Sequence, residues 1–326
     1  MTRKIWTLSA ILCASCSAAT AIAQSATQYP AKAIRMIVPS APGSGPDIMA
    51  RTIGQKLNEA WGQPVVVEAR PGAGGIIGSE AVAKSAPDGY TLIMGNAGSH
   101  SVNPSLYRKL PYDPLKDFSP IALVSSAPNI LIVHPSLPVK SAKDLITLAK
   151  ARPGELTFGS GGNGSTAHLS GELFRTLAGI RIVHVPFKGA PAAVLGVITG
   201  EISMAILNLP PALPHVKNGR LKALGVSTPK RSAAVPELPT IAESGLPGYS
   251  ATAWYGVLAP AGTPREIIMK INAEIVKGLR TEEMKKRIAS DGGEVIGSTP
   301  EEFTAVMKTD IAKWAKVVQA SGAQVD

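Results

Sequence analysis

The stretch that most constrains the fold covers residues 34–51 and reads IRMIVPSAPGSGPDIMAR. Its first five residues are a short β-prone run closed by Pro39, and the next seven are only Ser, Ala, Pro and Gly. Pro46 and Asp47 are typical of the first turn of a helix, and apolar residues then recur at four-residue spacing up to the residue before Gly62. The sequence therefore predicts a strand, a tight loop and a helix, which is the repeating unit of α/β folds.

The loop of this unit suits a small anion. A loop that runs into a helix start leaves backbone N–H groups and the positive end of the helix dipole facing outward. The competing interpretation is an ordinary β-to-α turn, because glycine and proline are common in such turns. Two more small polar loops follow strands, at residues 96–99 and 159–166, and Ser165 is a candidate N-cap for the helix after the second of these. The recurrence favours a ligand site at the carboxyl ends of the strands.

The amino terminus reads as an export signal. Two basic residues precede an apolar run, and a small-residue motif ends at Ala23, so residues 1–23 are predicted to be a secretory signal peptide cleaved near Ala23. In the alternative, Cys16 is a lipidated first residue, but no leucine stands three places before it. The other cysteine, Cys13, also lies in the signal, so the mature chain is predicted to lack disulfide and thiol chemistry.

The length and the net charge of the chain restrict its domain organisation and its type of ligand. About 300 mature residues exceed what one hydrophobic core comfortably supports, so two lobes are expected. The whole chain of 326 residues carries a formal net charge of +10, which favours anionic ligands. Because the basic residues are dispersed and are not interleaved with aromatic residues, nucleic-acid binding is not expected.

A search for chemistry finds no catalytic or metal centre. No two of the five histidines lie within five residues of each other, so no metal-binding spacing exists. None of the loop serines fits G-x-S-x-G, and no nucleophile and base are paired in the sequence. The run Gly72–Gly75 fails the dinucleotide spacing, which requires glycine where Ile77 stands. We therefore expect no enzyme activity, no metal and no cofactor, and we interpret these glycines as packing residues.

Several single residues leave two interpretations open. His168 lies three residues after Ser165, on the same helix face, and is either a ligand contact or a structural residue. Lys188 either faces the cleft or is an ordinary solvated lysine. His134 and His184 lie in apolar strands and are interpreted as structural histidines.

An ordered set of segments resembles the periplasmic substrate-binding receptors of tripartite tricarboxylate transporters, the Bug family. The similarity covers essentially the whole mature chain, and the ordered set is far more specific than any one segment. The matching segments are IRMIVPSAPGSGPDIMAR, GQPVVVEARPGAGGIIGSE, PDGYTLIMGNAG, LPYDPLKDFSPIA, HLSGELFRTLAGIRIVHVPFKGA, LPHVKNGRLKALGVSTPKRS, ELPTIAESGLPGY and WYGVLAPAGTP.

The resemblance implies a two-lobed α/β periplasmic binding protein fold, similar to type II, in which each lobe is a mixed sheet flanked by helices. A ligand cleft is expected between the lobes, which two crossing strands join. The candidate crossings are residues 121–124 and 130–133 with the residues between them, and the strand from Tyr249 to Leu258. The expected lobes are residues 28–125 with 250–326, and residues 126–249.

The resemblance also implies which residues hold the ligand. In the family, the first and second loops grip one carboxylate through backbone amides and ordered waters, and the loop before HLSGELF adds contacts from the other lobe. The nominated residues are Ala41, Gly43, Ser44, Gly45 and Asp47 in the first loop, Asn96, Ala97, Gly98 and Ser99 in the second, Ser160, Gly161, Ser165, Thr166 and His168 in the third, and Leu207 with Asn208 after a later strand.

Leu207 departs from the family pattern. Relatives often carry an acidic residue at the end of the strand that reads ISMAIL here, where this chain has Leu207 followed by Asn208. An acidic residue would suit a ligand ammonium. Its replacement by leucine therefore favours a less polar carboxylate over an amino acid.

The function expected from these observations is that of a periplasmic receptor. It captures a small organic carboxylate and delivers it to the membrane permease subunits of a tripartite tricarboxylate-type transporter, and we expect a monomer. One alternative is a receptor that feeds a sensor kinase, since both roles use the same closed state. The other is an exported serine-type hydrolase, against which the missing nucleophile–base pair weighs.

Overall fold

The structure is a computed structural model, and it describes residues 29–163, 165–290 and 293–321. The predicted signal peptide, with Cys13 and Cys16, lies outside the described residues, as does Gly164 of the third loop. The described strands are β1 (Ile34–Val38), β2 (Val65–Ala69), β3 (Thr91–Asn96), β4 (Phe118–Val133), β5 (Thr157–Ser160), β6 (Val183–Pro186), β7 (Met204–Asn208), β8 (Lys222–Val226), β9 (Thr252–Pro260) and β10 (Glu294–Val295).

Helices alternate with these strands, as the opening unit of the sequence predicts. A short 3₁₀ turn covers Ala73–Gly75, and a π-helical turn covers Gly98–Val102. The α-helices are α1 (Gly45–Trp61), α2 (Ile76–Ala83), α3 (Asn103–Leu106), α4 (Ala142–Ala151), α5 (Thr166–Ala178), α6 (Ala190–Ile198), α7 (Leu209–Lys217), α8 (Arg265–Leu279), α9 (Glu282–Ser290) and α10 (Pro300–Ser321).

Two helix ends follow the local sequence signals, and a third does not. Gly62 ends α1 in the left-handed conformation, and the Ser165 hydroxyl accepts a hydrogen bond from the backbone N–H of His168 at the start of α5. The Thr263–Glu266 segment has the sequence of a capping box with Pro264 at the first helical position, but the structure does not form this cap. The Thr263 hydroxyl donates instead to the carbonyl of Pro260, and Pro264 occupies the N-cap position of α8.

The sheet is mixed and divides into two halves. In the first half, β1 pairs in parallel with β2 and β3, and β9 runs antiparallel to β3. In the second half, β5 lies in parallel between β6 and β7. We call the parts of the molecule built around these two halves the first lobe and the second lobe.

The long strand β4 joins the lobes. Residues 118–128 of β4 pair with β9, and residues 129–133 pair with β7, so one strand passes from one half-sheet into the other. The sequence predicts two strands here, separated by Ser125–Pro128, and that separation is wrong. The polar residues in the middle stay in the strand because the neighbouring strand β9 pairs with them, including Ser125 with Tyr255.

Hydrophobic clusters fill each lobe. One cluster of the first lobe contains Met36, Ile53 and Ile271, and one of the second lobe contains Ile132, Val194 and Leu207. The largest cluster belongs to the second lobe, and it also takes in Leu106 of α3 and Trp314 of α10. Two helices therefore bridge the lobes beside β4. The strand predicted from Tyr249 to Leu258 begins at Thr252 as β9 and, among the described strands, pairs only within the first half-sheet, so its prediction as a crossing strand is wrong. The exact residue limits of the lobes stay a prediction.

Within the described ranges, none of the helices has the length and apolar character that crossing a bilayer requires.

Candidate functional site

A cleft of about 590 Å³ lies between the lobes, at the carboxyl ends of several strands. This volume is typical of a small-molecule site. We call its two sides the first-lobe wall and the second-lobe wall. The first-lobe wall consists of Pro39, Ser40, Ala41, Ser44, Pro46, Pro71–Gly75, Asn96, Tyr107 and Tyr255, and the second-lobe wall of Gly161–Asn163, Ser165–Ala167, Phe187–Ala190 and Asn208.

Helix starts converge on this cleft from both walls. Among the described residues, five helices have an N-cap residue that lines it. Those of α1 and α2 lie in the first-lobe wall, and those of α5, α6 and α7 lie in the second-lobe wall. Since the N-terminal end of a helix carries partial positive charge and unpaired N–H groups, the cleft has a positive potential. The N-cap residues are Ser44, Gly75, Ser165, Gly189 and Asn208.

Side-chain charge in the cleft has the same sign. Of the described residues that line it, Lys188 alone carries a charge, and none is acidic. The interpretation of Lys188 as a cleft residue is thus the one that the structure supports. A cleft with this lining attracts anions and offers no counter-ion to an ammonium group.

Asp47 shapes the first loop and does not line the cleft. Its carboxylate accepts a hydrogen bond of 3.0 Å from the Gly43 backbone N–H and forms two bonds of 3.1 Å with the Arg51 guanidinium. The side chain is 5% exposed. Both carboxylate oxygens are therefore hydrogen-bonded within the protein. Gly43, whose φ is +75°, lies in the turn and is not among the residues that line the cleft.

Gly45 also acts behind the cleft surface. A Cβ at this position would collide with the hydroxyl of Tyr255, whose ring therefore packs against the start of α1. Only glycine leaves that room. Of the five residues nominated from the first loop, Ala41 and Ser44 line the cleft, and the Ser44 hydroxyl donates to the Ala41 carbonyl at 2.6 Å.

The second predicted loop, 96–99, is a helical turn. Asn96 ends β3 and lines the cleft, whereas Ala97, Gly98 and Ser99 are buried and do not. The chain turns inward because the Asn96 side chain accepts from the Ser99 N–H at 3.1 Å, and the Ser99 hydroxyl lies 2.8 Å from Nδ1 of His100. A π turn follows directly, and such turns are frequent near functional sites.

Sequence reasoning missed the segment Pro71–Gly75, all of which lines the cleft. Because the segment lacks the glycine spacing of a dinucleotide-binding motif, the sequence predicts only a packing role for its glycines. Packing is indeed part of its role, because a Cβ on Gly75 would lie 2.9 Å from the Pro39 carbonyl oxygen. A signal was available, since this segment is another glycine-rich stretch between a strand and a helix, like the three loops that were nominated.

Two histidines lie behind the third loop, on the side away from the cleft. Ser160 is buried, and its hydroxyl lies 2.7 Å from Nε2 of His184 and 3.1 Å from both the N–H and the carbonyl of Gly162. The His184 ring stacks on the His168 ring with centroids 4.0 Å apart. Gly161, Ser165 and Thr166 line the cleft above this cluster, whereas Ser160 and His168 do not.

Burial keeps these imidazoles neutral. Desolvation lowers the pKa of His168 to about 3, with the neighbouring His184 and Arg175 lowering it further, and desolvation lowers the pKa of His184 to about 4. The contact of 4.0 Å between His168 and Glu172 is therefore not an ion pair at neutral pH. Glu172 pairs with Arg175 instead, at 2.6 Å. Both histidines lie behind the cleft lining, and the roles assigned to them from the sequence stay predictions.

Asn208 lines the cleft, and Leu207 does not. The Leu207 side chain belongs to the hydrophobic cluster of the second lobe, since successive residues of a strand face opposite sides. The preference for a less polar carboxylate that was inferred from Leu207 stays a prediction. The Asn208 amide donates to Asn129 Oδ1 at 3.1 Å, and Asn129 donates to the Ser170 hydroxyl at 2.9 Å, so a buried network fixes its orientation.

The two walls touch across the cleft. A Cβ added to Gly189 would lie 2.6 Å from the Cβ of Ala41, and one added to Gly74 would lie 2.6 Å from the Asn163 carbonyl oxygen. The Tyr107 hydroxyl also reaches that oxygen, at 3.5 Å. These approaches depend on glycine, and they describe a closed cleft.

The structure does bring serines and histidines together, which the sequence did not reveal. Ser160 pairs with His184, and Ser99 with His100, but both serines are buried and neither lines the cleft. Neither of these serine–histidine pairs therefore presents its hydroxyl to a molecule in the cleft. In the part of the chain that the structure describes, no group of three or more His, Cys, Asp or Glu residues could hold a metal ion.

Known proteins resemble this chain along almost its whole length. A family model described as the tripartite tricarboxylate transporter family receptor matches residues 49–323. BugT of Bordetella pertussis is 40% identical over 302 residues, 92% of this chain and 93% of that protein. A solved R. palustris structure with adipate has a TM-score of 0.88 and 39% identity, covering 90% of this chain and 98% of that chain. MatC from Rhodopseudomonas palustris with bound malate has a TM-score of 0.85 and 32% identity, covering 89% and 100%.

Proposed function

The chain belongs to the family of tripartite tricarboxylate transporter receptors, and on this premise we propose that it captures a small organic carboxylate in the cleft between its lobes. The convergence of helix starts on an acid-free cleft carries the proposal. Backbone N–H groups at helix N-termini bind carboxylates well, and five such ends meet here, as counted over the described residues. Two relatives with known structures were determined with dicarboxylates, adipate and malate.

The residues proposed to contact the carboxylate are the nominated ones that line the cleft. The remaining nominated residues lie behind the cleft lining, where they stabilise the loops or leave space for a neighbouring side chain. The proposed contact residues are Ala41, Ser44, Asn96, Gly161, Ser165, Thr166 and Asn208, and the positioning residues are Gly43, Gly45, Asp47, Ala97, Gly98, Ser99, Ser160, His168 and Leu207.

Binding is proposed to stabilise the closed cleft, as in other receptors that close about a hinge. Residues 28–125 with 250–326 would move against residues 126–249, with β4 and the residues that lead into β9 joining the two lobes. The protein acts as a receptor and carries out no covalent chemistry. We further propose a periplasmic monomer, freed of residues 1–23, that delivers its ligand to the permease subunits of a tripartite transporter.

A thermal-shift screen tests ligand binding. The mature chain is heated with mono-, di- and tricarboxylates, aromatic acids and acidic amino acids, against controls with matched salt. Ligand at about 100 times its dissociation constant adds about 2.7 kcal/mol to stability, enough to raise the midpoint by several degrees. A shift with selected carboxylates is expected. If no carboxylate in the panel shifts the midpoint, the proposal is wrong.

The membrane partner is tested separately. Tagged receptor, with and without the carboxylate found in the screen, is mixed with detergent-solubilised membranes, and the captured proteins are identified. Ligand-dependent capture of transporter permease subunits is the expected result. Capture of a sensor kinase instead of permease subunits would indicate that the receptor serves signalling and not transport.

A further inference from the structure

We propose that Tyr107 is a positioning residue that holds the two walls of the cleft together and so slows the release of any ligand, through a bond between the lobes and not through a bond to the ligand. This inference rests on the proposed carboxylate-binding function and adds a residue that sets how long the ligand stays bound. It begins from one observation: the Tyr107 hydroxyl lies 3.5 Å from the backbone carbonyl oxygen of Asn163 on the opposite wall.

The backbone of Tyr107 is fixed to the first lobe. Its N–H donates to the Asn103 carbonyl at 3.1 Å, at the end of α3. The Asn103 side-chain amide donates to the Gly74 carbonyl at 3.1 Å and to the Tyr112 hydroxyl at 3.2 Å. Tyr112 in turn donates to the Ser99 carbonyl at 2.5 Å. Because Asn103 and Tyr112 are buried, this chain of hydrogen bonds ties α3 firmly to two turns of the first lobe.

The side chain of Tyr107 extends to the second lobe. Its ring packs against the largest hydrophobic cluster of that lobe, and its hydroxyl reaches the third loop at Asn163. That loop is also held in place, since the Ser160 hydroxyl lies 3.1 Å from both the N–H and the carbonyl of Gly162. Burial raises the pKa of Tyr107, so the hydroxyl keeps its proton and donates at neutral pH. Donor and acceptor are thus positioned before they meet, which lowers the entropic cost of their bond.

Gly74 leaves the space in which this contact forms. A Cβ added to Gly74, whose φ is +64°, would lie 2.6 Å from the Asn163 carbonyl oxygen and 2.7 Å from the Tyr107 hydroxyl. Three groups from the two walls therefore meet at one point. We call the meeting of Tyr107, Gly74 and Asn163 the interlobe contact. A hydrogen bond that exists only when the walls are together favours the closed state and opposes reopening.

The first experiment follows closure directly. Residues 24–326 contain no cysteine, so Lys150→Cys in α4 and Lys277→Cys in α8, both exposed and in different lobes, can carry a donor and an acceptor dye. Energy transfer is measured as malate, adipate and each acid of the thermal-shift panel is added, and then after rapid dilution. Tyr107→Phe is expected to raise the dissociation constant three- to tenfold, the factor for one neutral hydrogen bond.

The kinetics and the range of ligands show how Tyr107 acts. The loss of affinity should come from faster release after dilution, while the association rate changes less than twofold. The factor should be the same for every acid that binds, because the lost bond joins the lobes.

Tyr29→Phe is the matched control for the hydroxyl. The Tyr29 hydroxyl donates to the Gly89 carbonyl at 2.7 Å, within the first lobe and outside the cleft lining. This variant loses the same kind of bond as Tyr107→Phe. It is expected to leave both the affinity and the release rate unchanged.

A second pair of variants tests the space at Gly74. Gly74→Ala is compared with Gly62→Ala, which has nearly the same backbone, with φ of +66°, in the same lobe, and whose added Cβ meets nothing within 4 Å. Only Gly74→Ala is expected to weaken binding, by about tenfold. Adding Tyr107→Phe to Gly74→Ala should weaken binding less than twofold further, since both changes break the same contact.

The outcomes separate this inference from the proposed function. A release rate in Tyr107→Phe equal to that of the wild type or of Tyr29→Phe overturns the inference and leaves the receptor function standing. So does a loss of affinity that differs more than threefold between acids, which would make Tyr107 a ligand contact, or equal binding by Gly74→Ala and Gly62→Ala. If the wild-type chain binds neither malate, adipate nor any acid of the thermal-shift panel, the receptor function itself fails, and the inference fails with it.

Discussion

The first-lobe wall of the cleft is positioned by a charged pair, whereas the second-lobe wall is positioned by neutral imidazole rings. Asp47 and Arg51 hold the loop before α1, and the pair is partly open to solvent because the Arg51 side chain is 57% exposed. Under the third loop, His184 and His168 are stacked and shielded, and His184 contacts Ser160. Two loops that look alike in sequence thus depend on different side-chain chemistry: an ion pair in one and neutral imidazole rings in the other.

The difference teaches that the two walls respond to different perturbations. The first loop depends on hydrogen bonds that a carboxylate accepts from a backbone N–H and a guanidinium, so it should be weakened when one of these partners is removed. A buried neutral imidazole gains a charge in acid and then has to be solvated, so the third loop should be weakened at low pH. The predictions that follow test this contrast.

The largest expected effect is acid destabilisation. The pKa of the buried rings of His100, His168 and His184 is about 3 to 4 in the folded chain and about 6.5 in the unfolded chain. Between these pH values the unfolded chain binds more protons than the folded chain. The contribution of these rings to the free energy of unfolding is therefore fully present above pH 6.5 and is lost as the pH falls toward 4. Each ring contributes a slope of up to about 1.4 kcal/mol per pH unit.

Urea unfolding of His184→Gln at pH 7, 6 and 5 assigns part of this slope to the third loop. Glutamine can still hydrogen-bond to Ser160 but does not titrate, so the slope should become shallower by about 1 kcal/mol per pH unit. His134→Gln serves as the control, since it removes a histidine of the same lobe that lies outside the stacked pair and whose ring is hydrogen-bonded only to Ser136 among the described contacts. Equal slopes in wild type and His184→Gln would contradict the prediction.

The next effect is loss of the first-loop pair. Asp47→Ala leaves the Gly43 N–H and the Arg51 guanidinium without their shared acceptor, and we expect a loss of about 2 kcal/mol in the free energy of unfolding. Arg51→Ala should cost less than about 1 kcal/mol, because that side chain is mostly exposed. Denaturant unfolding at pH 7 measures both. A loss below about 0.5 kcal/mol for Asp47→Ala would show that the loop holds its shape without the pair.

The smallest effect on stability comes from the contact between the walls. Gly189→Ala places a methyl group 2.6 Å from the Ala41 Cβ, at φ of +100°. Gly200→Ala is the matched control at the other end of the same helix, because its φ is +75° and an added Cβ meets nothing within 4 Å. Both changes should cost about 1 kcal/mol in stability through the left-handed backbone.

Only Gly189→Ala should also obstruct closure. We expect it to weaken carboxylate binding about tenfold, while Gly200→Ala leaves binding unchanged. Calorimetric titration with the preferred acid of the thermal-shift screen measures both. If the two variants bind equally, Gly189 does not govern the approach of the walls.

Much of the fold could be predicted from the sequence because its signals are local. The β1 to α1 unit, the Gly62 helix end and the Ser165 N-cap depend on residues within a few positions of each other, and the structure confirms them. Membership of the receptor family and the two-lobed fold, expected from an ordered set of segments, are confirmed by the family model and the solved relatives. That β4 is one continuous strand could not be predicted, because the polar residues in its middle pair with β9, which lies more than 120 residues away along the chain.

For the candidate site, the sequence by itself determined the loops, their order along the strands and the absence of a catalytic motif. Only the tertiary structure decided which residues line the cleft and which lie behind it. Asp47, Ser160 and His168 have the chemistry of ligand contacts, yet partners on the protein itself satisfy or enclose them. Gly74 and Gly189 are required because residues of the opposite wall lie close to them. The reason is physical: residue type and spacing fix local backbone geometry, whereas burial and contact across a cleft depend on segments far apart in the chain.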